Sequence, residues 1–376
     1  MLSLFDDYPI HQTPDPVLTP ATTERTVYER YWFNGYAKAG DLYLGIGIGR
    51  YPHLGILDGG VSVVRDGVQR SYHVSGRAPA EPTDVSVGPL RLEIVEPMRS
   101  CRVIVEDNET DFACDLLFEG RTANVEEPRH TLTHGNRRIM DTTRFAQLGR
   151  WSGWVRDAGG ELAIDPDEVL GTKDRSWGFR PVGGADTRGA PPQSRDGGIF
   201  FLWAPLHFDD LGSHFQLFED RYGRPLYQVG AHMPVYDSIA ELPGVEDPAA
   251  VHMRNLTHDV TFKAENRMIT AASLTMTSIP EGIEHRIDLE VLFTFRMKGI
   301  GYNHPEWGHG MWRGDLAMAT EQWRLDEVDE TAYDNQHVQH VVRATMGDRV
   351  GIGVLEQNIM GPHQPTGLTG FLEPQK

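Results

Sequence analysis

Alternation of apolar and polar residues is the pattern that most restricts the fold of this 376-residue chain. Between Ile287 and Met297 every second residue is apolar, and the residues between them are polar except Leu292. Side chains of a β-strand point alternately to its two faces, so this segment predicts a strand with one buried face. Shorter segments of the same kind occupy residues 90–95, 215–220, 270–279, 338–345 and 351–358. Many short strands separated by Gly-containing turns favour a β-sandwich or closed barrels.

The chain divides into two strand-rich halves. Residues 181–198 hold five Gly and three Pro and almost no apolar side chains, which is typical of a linker or long loop. Helical patterns are few, and residues 165–170 and 248–255 are the two segments where we expect helices of two or three turns.

Composition restricts the partners and the compartment. A net charge of −19 repels phosphate backbones and anionic lipid headgroups, so we expect no nucleic-acid partner. No apolar run approaches the roughly 20 residues of a spanning helix, and Asp6 and Asp7 stand where an export signal would be basic. We read Cys101 and Cys114 as reduced, buried thiols, which fits a cytoplasmic protein.

Two motifs that resemble ligand sites have simpler structural readings. Gly45, Gly47 and Gly49 alternate with apolar residues and no helical pattern follows, so they predict a strand that another element or a ligand approaches closely. His337 and His340 lie in a predicted strand, where residues three apart point to opposite faces and do not share an ion. We expect no metal site.

Residues 171–180 form the first segment that is rich in chemistry. In an extended strand Asp174 shares one face with Ser176 and Arg180, whereas Arg175 and Trp177 lie on the other. A carboxyl group on an inward face has a raised pKa and can donate a proton at neutral pH. The alternative is a purely structural Asp–Arg pair at the end of a barrel.

The second segment runs from Trp203 to His214. His207 and Asp209 share a face, as an oriented base would require, although residues 209–212 also have ordinary turn chemistry. Trp203 and His214 are candidates for substrate binding.

The third segment, residues 301–312, follows the best predicted strand and is dense in aromatic and titratable groups. Tyr302 and Trp307 can line an apolar pocket, and Glu306 or His309 can move protons in it. The alternative is an aromatic plug that covers the end of a barrel. Glu356, on a strand, is a weaker carboxylate candidate.

Residues 173–178, Lys-Asp-Arg-Ser-Trp-Gly, resemble the Asp-His-x-Trp-Gly signature of the carotenoid hydratase (hydroxyneurosporene synthase) and AttH-like family. The aromatic strand 200–203 and the turn 206–212 are similar to the opening of that family's second barrel, and the match continues through 215–218 and 222–225. Arg175 stands where the family usually has His. An Arg that paired with Asp174 would keep the carboxylate ionised and make it a poorer acid.

The resemblance implies an all-β fold of two lipocalin-like (calycin) antiparallel β-barrels packed together, with few short helices. The barrels would span 26–180 and 199–376, with 1–25 as an N-terminal extension and 181–198 as the linker. It also implies an apolar ligand cavity. Relatives of this family include kievitone hydratase, fungal decalin-forming Diels–Alderases and lipid carriers.

We therefore expect a cofactor-free hydro-lyase that hydrates or dehydrates a terpenoid, steroid-like or aromatic molecule, or carries out a related acid–base step. Asp174 and Glu306 are the candidate acids, and His207 and His309 are the candidate bases. Tyr302, Trp177, Trp307, Trp203, His214 and Arg175 are expected around the substrate. A non-catalytic carrier of hydrophobic molecules and a pericyclase of the Diels–Alderase type are the alternatives, and the chain fits a monomer or a homodimer.

Overall fold

The structure is a computed structural model that describes residues 2–183 and 198–375, and it is almost entirely β. Most of the predicted linker 181–198 lies outside the described residues. The first twelve strands are β1 (Val27–Ala37), β2 (Tyr43–Tyr51), β3 (Ile56–Arg65), β4 (Val68–Arg77), β5 (Ser86–Val87), β6 (Leu90–Glu96), β7 (Ser100–Val105), β8 (Ala113–Gly120), β9 (Val125–His134), β10 (Arg137–Asp157), β11 (Gly160–Ile164) and β12 (Val169–Phe179).

Nine more strands follow: β13 (Ile199–His207), β14 (Leu211–Glu219), β15 (Pro225–Pro234), β16 (Val251–Phe262), β17 (Ile269–Ser278), β18 (Glu284–Arg296), β19 (Leu316–Arg324), β20 (His337–Met346) and β21 (Arg349–Met360). The helices of the described residues are five short 3-10 turns: Leu4–Asp7, Ile239–Glu241, Met297–Ile300, Leu325–Glu327 and Tyr333–Asn335. No described helix is long and apolar enough to cross a membrane.

These strands build two antiparallel barrels, which confirms the predicted fold class. The first is a nearly closed sheet in the order β19-β4-β3-β2-β1-β12-β10-β8-β7-β6-β5, with β9 and β11 also paired to β10. The second is a closed barrel in the order β13-β14-β15-β16-β17-β18-β20-β21. β19 comes from the second half of the chain but pairs with β4 at the edge of the first sheet. The domain boundaries given above otherwise stay a prediction.

The alternating segment 287–297 is strand β18, and its single exception marks an irregularity. The pairing of β18 with β20 shifts register between Val291 and Phe293, which places a bulge at Leu292. Leu292 and Phe293 are both half-buried and pack in one cluster between the barrels. The bulge therefore explains why the alternation breaks at this residue.

Both expected helices are wrong. Residues 165–168 form a turn that leads into β12, and most of 248–255 belongs to β16. Strand pairing with β17 and the β-branched residues of 251–261 outweigh the short helical pattern.

The glycine pattern of β2 serves the contact between the barrels, as predicted from its alternation. A Cβ on Gly45 would lie 2.8 Å from the Phe295 ring, and one on Gly60 of β3 would lie 3.2 Å from Ile300 Cα. Phe295 and Ile300 come from the second half of the chain and pack with Trp32 and Tyr43 of the first. Close backbone approach here joins the two barrels.

Candidate active site

A cavity of about 560 Å³ lies between the two barrels. Its walls come from β1, β9, β10 and β12 of the first sheet and from β13, β14, β15, β20 and β21 of the second barrel. The volume falls within the roughly 300–1,000 Å³ of small-molecule sites. Much of the wall is apolar: Trp32, Leu132, Ile139, Met140, Ile199, Phe201, Trp203, Phe218 and Leu226.

Strand alternation places the aromatic residues of β13 in this wall. Phe200 and Leu202 belong to the core of the second barrel, whereas Phe201 and Trp203 pack in the cluster between the barrels. Trp203 lines the cavity, and its indole Nε1 is buried with no hydrogen-bond partner among the described residues. Trp32 Nε1 and Asn358 Oδ1 are in the same state. Such groups suit a ligand with a few polar atoms or ordered water.

Asp174 stands in the cavity wall at the centre of the first sheet. Its strand, β12, lies between β1 and β10, where Asp174 pairs in register with Trp32 and Ala146. Asp174 is 7% exposed, and its Oδ1 has no hydrogen-bond partner in the described chain. Arg144 Nε lies 3.3 Å from Asp174 Oδ2 and is the cation nearest to the carboxylate.

The environment raises the pKa of Asp174 to about 6. Burial is the largest cause, and the charges of Glu127 and Glu356 act in the same direction, whereas Arg144 and Arg30 oppose them. Loss of solvation thus outweighs the attraction of Arg144. A carboxyl group of this kind is protonated in a useful fraction of molecules near neutral pH.

A second buried carboxylate, Glu127, lies behind Arg144. Arg144 Nη1 is 3.7 Å from Glu127 Oε2, His214 Nε2 is 3.2 Å from Glu127 Oε1, and the Tyr227 hydroxyl donates to Glu127 Oε2 at 3.0 Å. Burial raises the pKa of Glu127, but Arg144, His214 and Tyr227 together hold it below its ordinary value. Glu127 is therefore the ionised partner of Arg144, and Asp174 is the carboxyl that can hold a proton.

The second barrel contributes a histidine–carboxylate pair. His337 Nε2 lies 2.7 Å from Glu356 Oε1, and Gln339 Nε2 donates to Glu356 Oε2 at 2.6 Å. Both His337 and Glu356 line the cavity. An ionised carboxylate can only accept, so with Glu356 in that state the His337 proton lies on Nε2 and Nδ1 is left as an acceptor.

Tyr302 completes this side of the cavity. Its ring lies edge-to-face with His337 at 4.5 Å, and the guanidinium groups of Arg30 and Arg180 lie 5.0 and 5.6 Å from the ring centre. Arg180 also lines the cavity. Tyr302 therefore contacts two cations, and one of them, Arg180, is itself part of the cavity wall.

Of the residues singled out from the sequence, the structure brings Asp174, Tyr302, Trp203 and Glu356 into one cavity. His214 does not line it, but its ring meets Trp203 edge-to-face at 6.1 Å and it contacts Glu127. His214 therefore lies behind the cavity wall, where it contacts Trp203 and Glu127.

Arg175 and Trp177 lie on the other face of β12, so Arg175 does not pair with Asp174. Arg175 forms an ion pair with Glu29, and its guanidinium lies 4.5 Å from the Tyr31 ring and 5.6 Å from Trp177. The condition under which Arg175 would keep Asp174 ionised is therefore not met, because neighbouring residues of a strand point to opposite faces.

The backbone conformation explains the glycine in the Trp177-Gly178 part of the motif. Gly178 adopts φ +128°, and a Cβ at this position would lie 2.1 Å from the carbonyl oxygen of Asp141. Only glycine fits where β12 meets β10.

The other residues of the third segment lie away from the cavity. Glu306 is exposed and pairs with Arg313 at 3.0 Å, and Trp307 stacks on His73 at 5.5 Å. His309 is half-buried beside Tyr302, where its Nε2 contacts the Ile300 carbonyl oxygen at 2.9 Å. Burial, with the charges of Arg30 and Arg180, holds the pKa of His309 well below its ordinary range.

His207 is buried outside the cavity, with both ring nitrogens occupied. Arg121 Nη1 donates to its Nδ1 at 3.1 Å, and its Nε2 faces the Gly171 carbonyl oxygen at 3.0 Å. Burial and Arg121 lower the pKa of His207 to about 3. Because both nitrogens of the His207 ring are engaged in contacts within the protein, His207 is not part of the proposed site.

Arg144, Glu127 and His337 are the groups that sequence reasoning missed. Arg144 and Glu127 occur in strands with no recognisable motif, and the sequence indicates His337 only as half of a possible metal site. The three-residue separation of His337 and His340 does indicate that the two side chains point to opposite faces of their strand. In the structure His337 contacts Glu356, and His340 contacts Gln357.

Two clusters outside the cavity bring histidine and carboxylate ligand atoms within 4.8 Å of one another: His73, His304 and Glu321, and Glu219, His258 and His363. In the second cluster both histidines contact Glu219 Oε2 through Nε2, at 2.9 and 3.1 Å. In the first, His304 Nε2 lies 2.8 Å from Glu321 Oε2. His73 Nε2 lies 3.0 Å from the same oxygen without forming a hydrogen bond, so hydrogen bonding accounts fully only for the second cluster. Neither cluster touches the cavity.

The fold and cavity define a protein of two lipocalin-like barrels with a ligand-sized chamber between them. Within this class, the chain belongs to the family of unknown function DUF8625, whose model matches residues 2–369. No curated protein matches the chain.

Solved structures share the architecture. The AttH-like protein NE1406 from Nitrosomonas europaea is 11% identical, with a TM-score of 0.52 over 92% of this chain and 98% of that one. CghA, solved with Sch210972, is 12% identical with a TM-score of 0.50 over 90% and 89%. Kievitone hydratase from Nectria haematococca is 13% identical with a TM-score of 0.43 over 88% and 89%. The AttH-like protein and CghA confirm the resemblance noted in the sequence, and at these identities they establish the fold alone.

Proposed function

We propose that this protein is a lyase that adds water to, or removes it from, a hydrophobic small molecule bound between the two barrels. The observation that carries the proposal is the Asp174 carboxyl group, which is buried in the wall of an apolar cavity with its pKa raised to about 6. Protonating an alkene or a leaving hydroxyl group needs such an acid in a site shielded from water.

In this mechanism Asp174 transfers its proton to an alkene carbon, and the resulting cation is attacked by water. His337 Nδ1 accepts a proton from that water, while Glu356 holds the Nε2 proton and stabilises the imidazolium that forms. The net change is the addition of H and OH, and solvent returns the proton from His337 to Asp174. Elimination follows the same path in reverse.

The walls support a cationic intermediate. The aromatic residues Trp32, Phe201 and Trp203 line the chamber. A cation over the face of such a residue is stabilised by about 0.5–2 kcal/mol per ring. The chemistry needs only an acid, a base and water, so the proposal includes no cofactor.

A carrier would need the cavity but no converging titratable groups, so Asp174 and the His337–Glu356 pair favour the lyase. A pericyclase would need shape and hydrogen bonds, and its rate would not depend on the protonation of Asp174.

The test starts with the molecule that the full chain retains on purification, identified by native mass spectrometry. The complex is incubated in water labelled with oxygen-18, and mass spectrometry follows both the label that the ligand gains on hydration and the mass of one water that it loses on dehydration. We expect incorporation to fall by about a hundredfold or more in Asp174→Asn, the usual contribution of a general acid. The exposed Asp41→Asn variant is the control and keeps full activity. Full turnover in both Asp174→Asn and His337→Asn would contradict the acid–base assignment. A bound ligand that neither gains label nor loses water would favour the carrier.

A further inference from the structure

A second cavity, of about 410 Å³, opens into the first barrel on the opposite face of β12 from Asp174. The register explains the separation. Arg175 pairs with Tyr31 and Phe145 and faces the second cavity, whereas Asp174 pairs with Trp32 and faces the chamber between the barrels. The sheet itself is the wall between the two sites.

Lys173 lies in this second cavity and is 3% exposed. It pairs in register with Phe33, a core residue of the first barrel. Its Nζ lies 5.8 Å from the Phe118 ring centre and 5.6 Å from that of Phe145. It makes no hydrogen bond or ion pair within residues 2–183 and 198–375.

The contrast with the other buried lysine is informative. Lys298 is 8% exposed, and its Nζ donates to Asp334 Oδ2 at 3.0 Å. Buried charges in proteins are normally paired in this way. Burial, with a contribution from Arg175, lowers the pKa of Lys173, as expected for an ammonium group that lacks a counter-ion.

The net charge of the residues that line the second cavity indicates the charge of the ligand that it binds. The charged residues of the cavity are Lys173, Arg175 and Glu29, and the last two form an ion pair with each other. One positive charge therefore remains, which a single negative charge would neutralise. The rest of the wall is largely apolar, and Ile94 and Trp177 are 44% and 38% exposed.

We propose that the first barrel binds an apolar molecule that ends in a carboxylate, with the carboxylate on Lys173 and the apolar body against Phe145, Met98 and Trp177. This site is independent of the proposed lyase site. Nothing in its argument requires Asp174 to act as an acid.

The experiment uses the full chain and the fluorescent probe 11-(dansylamino)undecanoic acid together with its methyl ester, which has the same body without the charge. We expect the acid to bind at least about tenfold more tightly than the ester. A difference of this size is what a hydrogen bond to a charged group contributes to binding. Lys173→Met should remove this preference and leave the affinity for the ester unchanged. The exposed Lys38→Met is the matched control and keeps the preference.

Two further variants make the result decisive. Trp203→Ala, in the chamber between the barrels, should leave binding of the acid unchanged, and a large loss there would place the probe in the wrong site and overturn the proposal. Should Lys173→Met fail to fold, Ile94→Glu puts a negative charge at the exposed mouth and should weaken the acid more than the ester. Equal binding of acid and ester to the unmodified chain overturns the proposal directly.

Discussion

Replacing Asp174 by Asn should make the stability of this protein less dependent on pH. The pKa of Asp174 is raised from 3.8 to about 6 in the folded chain, chiefly by burial. Between these values the folded chain holds the proton and the unfolded chain does not. The proton therefore stabilises the folded state at low pH, and this stabilisation is lost as the pH rises through about 6.

The size of the effect follows from the same two values. A pKa that is about two units higher in the folded state corresponds to about 3 kcal/mol. This is a large part of the roughly 5–15 kcal/mol that stabilises an ordinary domain. Asn cannot ionise, so Asp174→Asn should lack this pH-dependent loss while it abolishes the proposed acid.

Urea unfolding followed by tryptophan fluorescence at pH 4, 5, 6, 7 and 8 measures the effect. The free energy of unfolding of Asp174→Asn, relative to the unmodified chain, should rise by about 3 kcal/mol from pH 4 to pH 8. Asp41→Asn replaces an exposed carboxylate and should give a nearly constant difference. A constant difference for Asp174→Asn would refute the reasoning, and a fall with pH would mean that Arg144 stabilises the carboxylate more than burial penalises it.

Three other changes test separate parts of the account. Arg144→Gln removes the cation that lowers the pKa of Asp174, so the alkaline limb of the pH–rate profile should move up by at least about one pH unit, and an unmoved limb would contradict the pairing. Glu356→Gln should lower the turnover rate by about a hundredfold while ligand affinity, measured by calorimetry, stays within about twofold; equal losses in both would indicate a structural role. Gly178→Ala places a Cβ against Asp141 O and should destabilise the chain by about 3 kcal/mol in urea unfolding. Gly55→Ala, at φ +68° in open space, is its control, and we expect only about 1 kcal/mol there.

The alternation of residues determined much of the architecture, because the period of a strand is a local property. It predicted β18 and the face of its apolar side chains, and it predicted a strand, with close approach of another element or a ligand, for the glycines of β2. It also predicted that Asp174 and Arg175 point to opposite faces. Only the tertiary structure decided which of those faces is the cavity between the barrels.

The motif around Asp174 predicted the fold and one residue of the candidate site. It did not predict the residues that act together with Asp174. Arg144 and His337 lie 30 and 163 positions away in sequence and reach the cavity only because β10 pairs with β12 and β20 pairs with β21. The aromatic loop 301–312 contributed Tyr302, whereas Glu306 turned outward to Arg313. Composition and local sequence pattern do not predict which of these side chains reach the cavity. Which ones reach it depends on strand order and on burial, and burial also sets the pKa of Asp174.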